Sequence, residues 1–204
     1  AVYTFRRGQP LRKGGPKRFE GPKGLALRIL MLSDYLPPHI GGGVEVVVGK
    51  LCQGLIERGH TVSVLTLRTC PAAATESRAG LTIRRVPALD LTGRLGVQCA
   101  ISAHILPAAI RLVRRFRPDL VHAHNLFFRT TEAAALLRTV CRVPLVTTLH
   151  LGRLEHGGWP LRALTRAYEA TLGRFIVQRS DHIIAVSQSV AEHARRLGKG
   201  CNSV

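Results

Sequence analysis

From Leu27 onward, short runs of leucine and β-branched residues alternate with longer segments of helical periodicity. This alternation is the pattern of βαβ units, in which a helix connects two parallel strands. Strands that are apolar on both faces must be covered by helices on both sides of the sheet. The sequence therefore predicts an α/β domain with an open, doubly wound and mostly parallel sheet.

Six short segments are predicted as strands of this sheet, and five longer segments as helices. The predicted strands cover residues 27–33, 61–67, 81–86, 120–123, 144–149 and 182–186, and the predicted helices cover about 44–58, 96–116, 131–141, 161–179 and 188–197. Gly59 is expected to end the first helix as a C-terminal cap, while Ser187 is expected to cap the last one. Pro107 is expected to bend the second helix, and Pro118 to stop it.

The composition fits one folded domain and argues against several classes of protein. The 204 residues are 46% apolar, which is enough to bury a core. The longest uncharged apolar runs, such as 97–110, fall short of the roughly 20 residues that a bilayer span requires. The five cysteines are an odd number, lie far apart and form no Cys-x-x-Cys pair. Neither a disulfide framework nor a zinc knuckle is predicted, and reduced thiols in the cytoplasm fit this pattern best.

The chain is strongly basic, with 30 Lys and Arg against 12 Asp and Glu and a net charge of +18. Residues 1–24 are rich in Gly and Pro and have no apolar period, so they are predicted to be a disordered basic arm before a single domain at 25–204. The arm is interpreted as a solvated extension or as an electrostatic tether. A basic domain attracts phosphates in nucleic acid, anionic lipid or small molecules, and charge alone does not choose among them. Because aromatic side chains, which stack on bases, are sparse, nucleic acid is the less favoured partner.

Ligands of doubly wound sheets bind beyond the carboxyl ends of the strands, so the residues after each strand are the candidate site. The first strand is followed by Gly41, Gly42 and Gly43, directly before a helix. Glycines allow a phosphate to approach the backbone, and the helix N-terminus supplies unpaired N–H groups. The turn is a candidate diphosphate cradle, although simple turn chemistry also explains it; it matches neither Gly-x-Gly-x-x-Gly nor a Walker A loop. Glu45 in the first helical turn favours the helix dipole.

Histidines end or follow two further strands. His122 and His124 share one face of a strand, where a metal pair is geometrically allowed, but no third ligand has suitable spacing. Polar lining of the crevice is therefore the favoured interpretation of both. His150 directly follows an apolar strand, where its imidazole is either a loop histidine with a local partner or a hydrogen-bond donor to a substrate hydroxyl or phosphate.

Five segments carry a resemblance to a known family. They are 28–45 (RILMLSDYLPPHIGGGVE), 58–66 (RGHTVSVLT), 117–125 (RPDLVHAHN), 143–150 (VPLVTTLH) and 179–198 (RSDHIIAVSQSVAEHARRLG). In order and approximate spacing these segments resemble the amino-terminal domain of GT-B glycosyltransferases of family 4. The resemblance spans about residues 27–198, and its specificity lies in the combination rather than in any one segment.

The resemblance implies one half of a GT-B architecture, in which two Rossmann-like domains face a cleft. It implies transfer from a nucleotide-sugar co-substrate with retention at the anomeric carbon, without a further cofactor or an obligatory metal. By this resemblance the backbone of Gly42 and Gly43 faces the donor diphosphate, and His150 is the catalytic candidate beside the transferred sugar. The residues expected to line the cleft near acceptor or donor are Glu45, His124 and Ser187.

Family members continue with a second domain that binds the nucleotide-sugar, whereas this chain stops at Val204. The expectation is therefore an acceptor-binding half that is inactive unless a carboxy-terminal domain is supplied in cis or in trans. Its acceptor would be a sugar, a polyol or a lipid-linked molecule. Its location would be cytoplasmic, with at most a peripheral contact with the anionic inner face of the membrane. The alternative is a non-catalytic basic α/β module that binds anionic lipid or nucleic acid.

Overall fold

The structure is a computed structural model that describes residues 2–6, 12–14, 25–39, 41–152 and 158–199. The strands are β1 (Val2–Arg6), β2 (Arg12–Gly14), β3 (Arg28–Leu32), β4 (Thr61–Arg68), β5 (Thr75–Arg78), β6 (Leu81–Pro87), β7 (Leu89–Asp90), β8 (Ala100–Ile101), β9 (Leu120–His124), β10 (Leu145–Leu149) and β11 (His182–Ala185). The helices are α1 (Val44–Glu57), α2 (Thr92–Leu95), α3 (Ile105–Phe116), α4 (Arg129–Val140), α5 (Trp159–Tyr168), α6 (Arg174–Arg179) and α7 (Gln188–Lys199), and a π-helical segment, Glu169–Gly173, joins α5 to α6. Across these ranges, no helix combines the length and the apolarity needed to cross a bilayer.

The main sheet has nine strands in the order β2-β1-β11-β10-β9-β3-β4-β6-β5. The six strands from β11 to β6 are parallel, while β1, β2 and β5 are antiparallel additions at the two edges. Chain order runs outward from β3 in one direction and from β9 in the other, which is the strand order of a Rossmann-like fold. The predicted doubly wound, mostly parallel sheet is confirmed. The reversal of strand order between β3 and β9 marks the crevice where such sheets bind ligands.

The core lies at the centre of the parallel sheet. Leu30, Met31 and Leu32 on β3 are fully buried, and six consecutive residues of β4 are also buried. Helix α1 contacts β4, and α4 contacts β9 and β10. Burial of both faces explains why these strands are continuous apolar runs rather than alternating ones.

The ends of two predicted helices are confirmed. Helix α1 ends where Gly59 adopts a φ of +84°, a left-handed conformation that glycine adopts without strain. Before α7, the hydroxyl of Ser187 accepts a hydrogen bond of 3.3 Å from the backbone N–H of Val190, as an N-terminal cap does.

The helix predicted over 96–116 is wrong in its first half. Gly96 adopts a left-handed conformation with φ +66° that ends α2, and Ala100–Ile101 then pairs with β7 in a separate two-stranded sheet. Helix α3 begins only at Ile105, which places Pro107 in its first turn. Proline is tolerated there because the N–H that it lacks would have no partner within the helix. Pro107 therefore belongs to the start of α3 and does not bend it.

The structure also differs from the expected disordered arm, at residues 2–6 and 12–14. Strand β1 pairs antiparallel with β11, and β2 pairs with β1. The Phe5 side chain is 9% exposed and belongs to the core. The local sequence VYTF is rich in strand-forming residues, a signal that the surrounding Gly and Pro outweighed in the prediction. The other arm residues, and 200–204, lie outside the described residues.

Candidate functional site

The residues that follow β3, β9 and β10 lie at one edge of the sheet, because the three strands are parallel neighbours. Strand β3 leads into the triple-glycine turn, and β10 leads into His150. Strand β9 ends at His124, between them in the sheet. Strands β9 and β10 therefore bring His124 and His150 to the crevice where the strand order reverses, and β3 leads towards the glycine turn.

The carboxylate of Glu45 binds two backbone N–H groups of the triple-glycine turn. Oε1 of Glu45 accepts hydrogen bonds from the backbone N–H of Gly41 at 2.8 Å and of Gly42 at 2.5 Å. Gly43 is the N-cap residue of α1, and no described residue accepts a bond from its N–H. Among the three glycines, Gly43 is thus the one whose N–H is left for a ligand in this conformation.

The three glycines also differ in the space around them. A Cβ atom placed on Gly41 would lie 2.8 Å from Nε2 of His39, and one placed on Gly42 would lie 3.0 Å from Nε2 of Gln98. A Cβ atom on Gly43 would meet nothing within 4 Å. A side chain at Gly41 or Gly42 would therefore have to displace His39 or Gln98, whereas the space beside Gly43 is open.

Three polar side-chain atoms beside the turn are buried and have no hydrogen-bond partner in the part of the chain that the structure describes. They are Oε2 of Glu45, Nε2 of Gln98 and Nε2 of His39. Glu45 as a whole is 1% exposed. Leaving a buried polar atom unpaired costs about 1–3 kcal/mol, so such atoms are rare and call for a ligand or an ordered water.

Glu45 is held as a carboxylate. Burial raises the pKa of its carboxyl, but the N–H groups of Gly41, of Glu45 itself and of Gly42 lower it, and the net pKa lies below the usual value. The side chain therefore carries a negative charge at neutral pH and is able to accept, but not to donate, hydrogen bonds.

The three histidines form one stacked cluster. The ring centroids of His122 and His124 are 4.4 Å apart, and those of His124 and His150 are 5.5 Å apart. Nδ1 of His124 lies 3.2 Å from Nε2 of His150, and Nε2 of His124 lies 3.0 Å from Sδ of Met31. Nε2 of His122 lies 2.8 Å from Oγ1 of Thr148.

All three imidazoles are neutral at pH 7. Burial, followed by the charge of His150, lowers the pKa of His122 to about 4. Burial also lowers the pKa of His124 well below its usual value, with further contributions from the two neighbouring histidines. The pKa of His150 is lowered by burial alone. The cluster therefore offers neutral donors and acceptors, not positive charge.

Asp34 is a buried carboxylate that no motif in the sequence indicated. Its two oxygens accept hydrogen bonds from the first two backbone N–H groups of α4, Arg129 at 2.9 Å and Thr130 at 2.8 Å. Burial raises its pKa to about 6, although these bonds lower it. Asp34 thereby ties the end of β3 to the start of α4, across the strand reversal.

The predicted site residues fall into two contacting groups and one separate position. Gly42 contacts Glu45 beside α1, and His124 contacts His150. The second group touches β3 through Met31. Ser187 lies after β11, where its hydroxyl bonds locally to Ser189 and to the backbone of α7. Within the described residues, no group of three or more His, Cys, Asp or Glu side chains could hold a metal ion.

Comparison with solved structures finds partial similarity. The α,α-trehalose-phosphate synthase (UDP-forming) from Burkholderia vietnamiensis has a TM-score of 0.49 at 13% identity, covering 86% of this chain and 43% of that one. MurG from Acinetobacter baumannii has a TM-score of 0.41 at 13% identity, covering 69% and 39%.

Comparison with curated proteins finds nearer relatives. A glycogen synthase of Mycobacterium tuberculosis is 30% identical over 190 residues, covering 84% of this chain and 45% of the relative. The 2-deoxystreptamine N-acetyl-D-glucosaminyltransferase of Streptomyces fradiae is 30% identical over 168 residues, covering 76% and 39%. The chain thus spans less than half the length of these relatives. The sequence model of Glycosyltransferase Family 4 matches residues 41–201. Since this match covers most of the sequence, the chain belongs to glycosyltransferase family 4.

Proposed function

We propose that this chain forms the acceptor-side half of a retaining, nucleotide-sugar-dependent glycosyltransferase. In this proposal it binds the acceptor and part of the donor diphosphate, and a donor-side domain acts with it in cis or in trans. The observation that carries the proposal is the start of α1, where the N–H of Gly43 has no partner among the described residues and the space beside it is open.

The start of α1 suits a diphosphate for electrostatic reasons. The first backbone N–H groups of a helix lack partners and carry partial positive charge, so they stabilise an anion. Glu45 occupies the N–H groups of Gly41 and Gly42, which leaves Gly43 as the contact. The charge on a nucleoside diphosphate grows as it departs, and donors that are already in place stabilise that charge without reorganisation.

The unpaired atoms beside the turn support an acceptor that carries hydroxyl groups. A hydroxyl both donates and accepts, so it would pair with Oε2 of Glu45 and Nε2 of Gln98; both atoms are covered by protein, and this contact therefore requires the turn to move when the acceptor binds. A sugar or a polyol supplies several such groups. In this proposal Glu45 contacts the acceptor, His124 and Ser187 lie along the cleft, and His150 contacts the transferred sugar.

Replacing Gly43 with valine tests the diphosphate contact. A Cβ atom at this position meets nothing within 4 Å, so the fold should be retained while the side chain occupies the open space at the start of α1 and excludes a phosphate. We expect binding of UDP, ADP or GDP, whichever binds the wild-type chain, to weaken about tenfold or more, equivalent to about 1.4 kcal/mol. Isothermal titration calorimetry measures this, and Gly93→Val is the matched control because a Cβ on Gly93 also meets nothing within 4 Å.

The alternative function, a basic module that recruits anionic lipid or nucleic acid, gives a different result in the same variants. Binding driven by the net charge of +18 would fall steeply with salt and be equal in the wild-type chain, Gly43→Val and Gly93→Val. Sedimentation with phosphatidylserine vesicles and titration with a single-stranded oligonucleotide provide that comparison. Strong vesicle binding without nucleoside diphosphate binding would reject the transferase proposal. Binding of both vesicles and a nucleoside diphosphate would indicate a transferase that contacts the membrane surface peripherally.

A further inference from the structure

The contacts of His124 fix where its proton lies. The thioether of Met31 accepts hydrogen bonds but has no proton to donate. Because Nε2 of His124 lies 3.0 Å from that sulfur, the neutral ring carries its proton on Nε2 and leaves Nδ1 as an acceptor. The opposite tautomer would direct two lone pairs at each other in a fully buried place, since Met31 is 0% exposed and His124 is 1% exposed.

The proton of His150 follows from that of His124. Nδ1 of His124 accepts, so its partner at 3.2 Å, Nε2 of His150, must donate. A neutral imidazole has one proton, and Nδ1 of His150 is therefore an acceptor. None of the described residues bonds to this Nδ1, and it is not among the buried unpaired atoms, so it remains available to a ligand.

We propose that Met31 and His124 are positioning residues that hold His150 with its proton on Nε2, so that its Nδ1 accepts a hydrogen bond from a hydroxyl group of the transferred sugar. The identity of that hydroxyl rests on the proposed function, whereas the tautomers follow from contacts within the ligand-free chain. Stacking against His122, whose Nε2 is bonded to Thr148, keeps the ring of His124 in place.

The position of the proton on His150 distinguishes between the two partners that the sequence left open, a phosphate and a hydroxyl group. A phosphate diester or diphosphate oxygen at neutral pH accepts hydrogen bonds, and a lone pair on Nδ1 would repel it. A sugar hydroxyl has a proton to donate and fits the same atom. His150 thus favours the sugar over the phosphate part of a donor, and it acts as a hydrogen-bond acceptor, whereas its position in the sequence predicted a donor.

Tautomers are measured directly by long-range ¹H–¹⁵N correlation spectra of the ¹⁵N-labelled, ligand-free chain at pH 7.5. Protonated and unprotonated ring nitrogens have well-separated ¹⁵N shifts, and His124→Gln and His150→Gln assign the two rings. We expect both rings as Nε2–H tautomers. In Met31→Leu, which keeps the volume and removes the acceptor, we expect the Nδ1–H form of His150 to rise to roughly a tenth of the population or more. Leu30→Met is the matched control, because Leu30 points to the opposite face of β3.

Two results would overturn this inference: an Nδ1–H tautomer of His150 in the wild-type chain, or equal tautomer populations in the wild-type chain and Met31→Leu. If Met31→Leu does not fold, the wild-type spectrum alone decides. Neither result bears on the diphosphate contact at Gly43, and failure of nucleoside diphosphate binding leaves the tautomers unchanged. Failure of the inference and failure of the proposed function are therefore distinguishable.

Discussion

Replacing Asp34 with alanine is expected to lower the free energy of unfolding by about 3 kcal/mol at pH 7. Asp34 is 2% exposed, and its carboxylate is the partner of the backbone N–H groups of Arg129 and Thr130. Alanine would leave both N–H groups without this partner, that of Thr130 buried and that of Arg129 partly buried, and each unpaired buried group costs about 1–3 kcal/mol. Urea unfolding followed by circular dichroism measures the change.

Two variants separate this effect from the loss of any aspartate. Asp34→Asn keeps one acceptor oxygen, so we expect about half of the loss seen with alanine. Asp119 also accepts a backbone N–H bond, from Arg28 at 2.8 Å, but it is exposed and water replaces it. Asp119→Ala should therefore cost less than about 1 kcal/mol. Equal losses in Asp34→Ala and Asp119→Ala would show that Asp34 does not hold α4.

The position of Asp34 also matters for the site. It follows β3 directly and fixes the start of α4, which itself follows β9. The crevice between β3 and β9 is therefore bounded by a carboxylate that joins its two sides.

Most of the parallel sheet could be predicted because its strands are buried on both faces and are therefore apolar throughout. Strand β3 and strand β10 begin within one residue of their predicted starts. The region 96–104 could not be predicted in this way, since Pro107 and the apolar residues around it suit either a bent helix or a helix that begins late. The pairing of β7 with β8 shows that the helix begins late. This pairing joins residues about 10 positions apart, and the hydrophobic periodicity of a short segment does not reveal it.

The candidate site could be predicted only where function follows from a position after a strand. The glycine turn and His150 both come after a strand, and both could be predicted. Met31 and Gln98 were missed, because Met31 looks like any core residue of β3 and Gln98 lies in an irregular segment. Each becomes relevant through a partner distant in sequence: His124 for Met31, and the glycine turn for Gln98.

Acidification from pH 7 to pH 4 is expected to destabilise the wild-type chain by about 3 kcal/mol relative to His122→Gln. The pKa of His122 is about 4 in the folded chain and 6.5 when unfolded, so the unfolded state binds the proton first as the pH falls. The stability that neutral His122 contributes is complete above pH 6.5 and is lost as the pH falls towards 4. Glutamine does not titrate and shows no such loss.

Asp34 changes stability in the opposite direction over almost the same range. Its pKa is about 6 in the folded chain and 3.8 when unfolded, so the stability that comes from its protonation is complete below pH 3.8 and is lost as the pH rises through 6, while its bonds to the start of α4 remain at pH 7. The two groups offset each other in the wild-type chain, which is why the comparison with His122→Gln is needed. Urea unfolding at each half pH unit measures it, with the exposed His104→Gln as control. Asp34→Asn removes the offset and should make the stability of the chain more sensitive to acid than that of the wild type. If stability changes with pH equally in the wild type and in all three variants, neither buried group changes its protonation on unfolding.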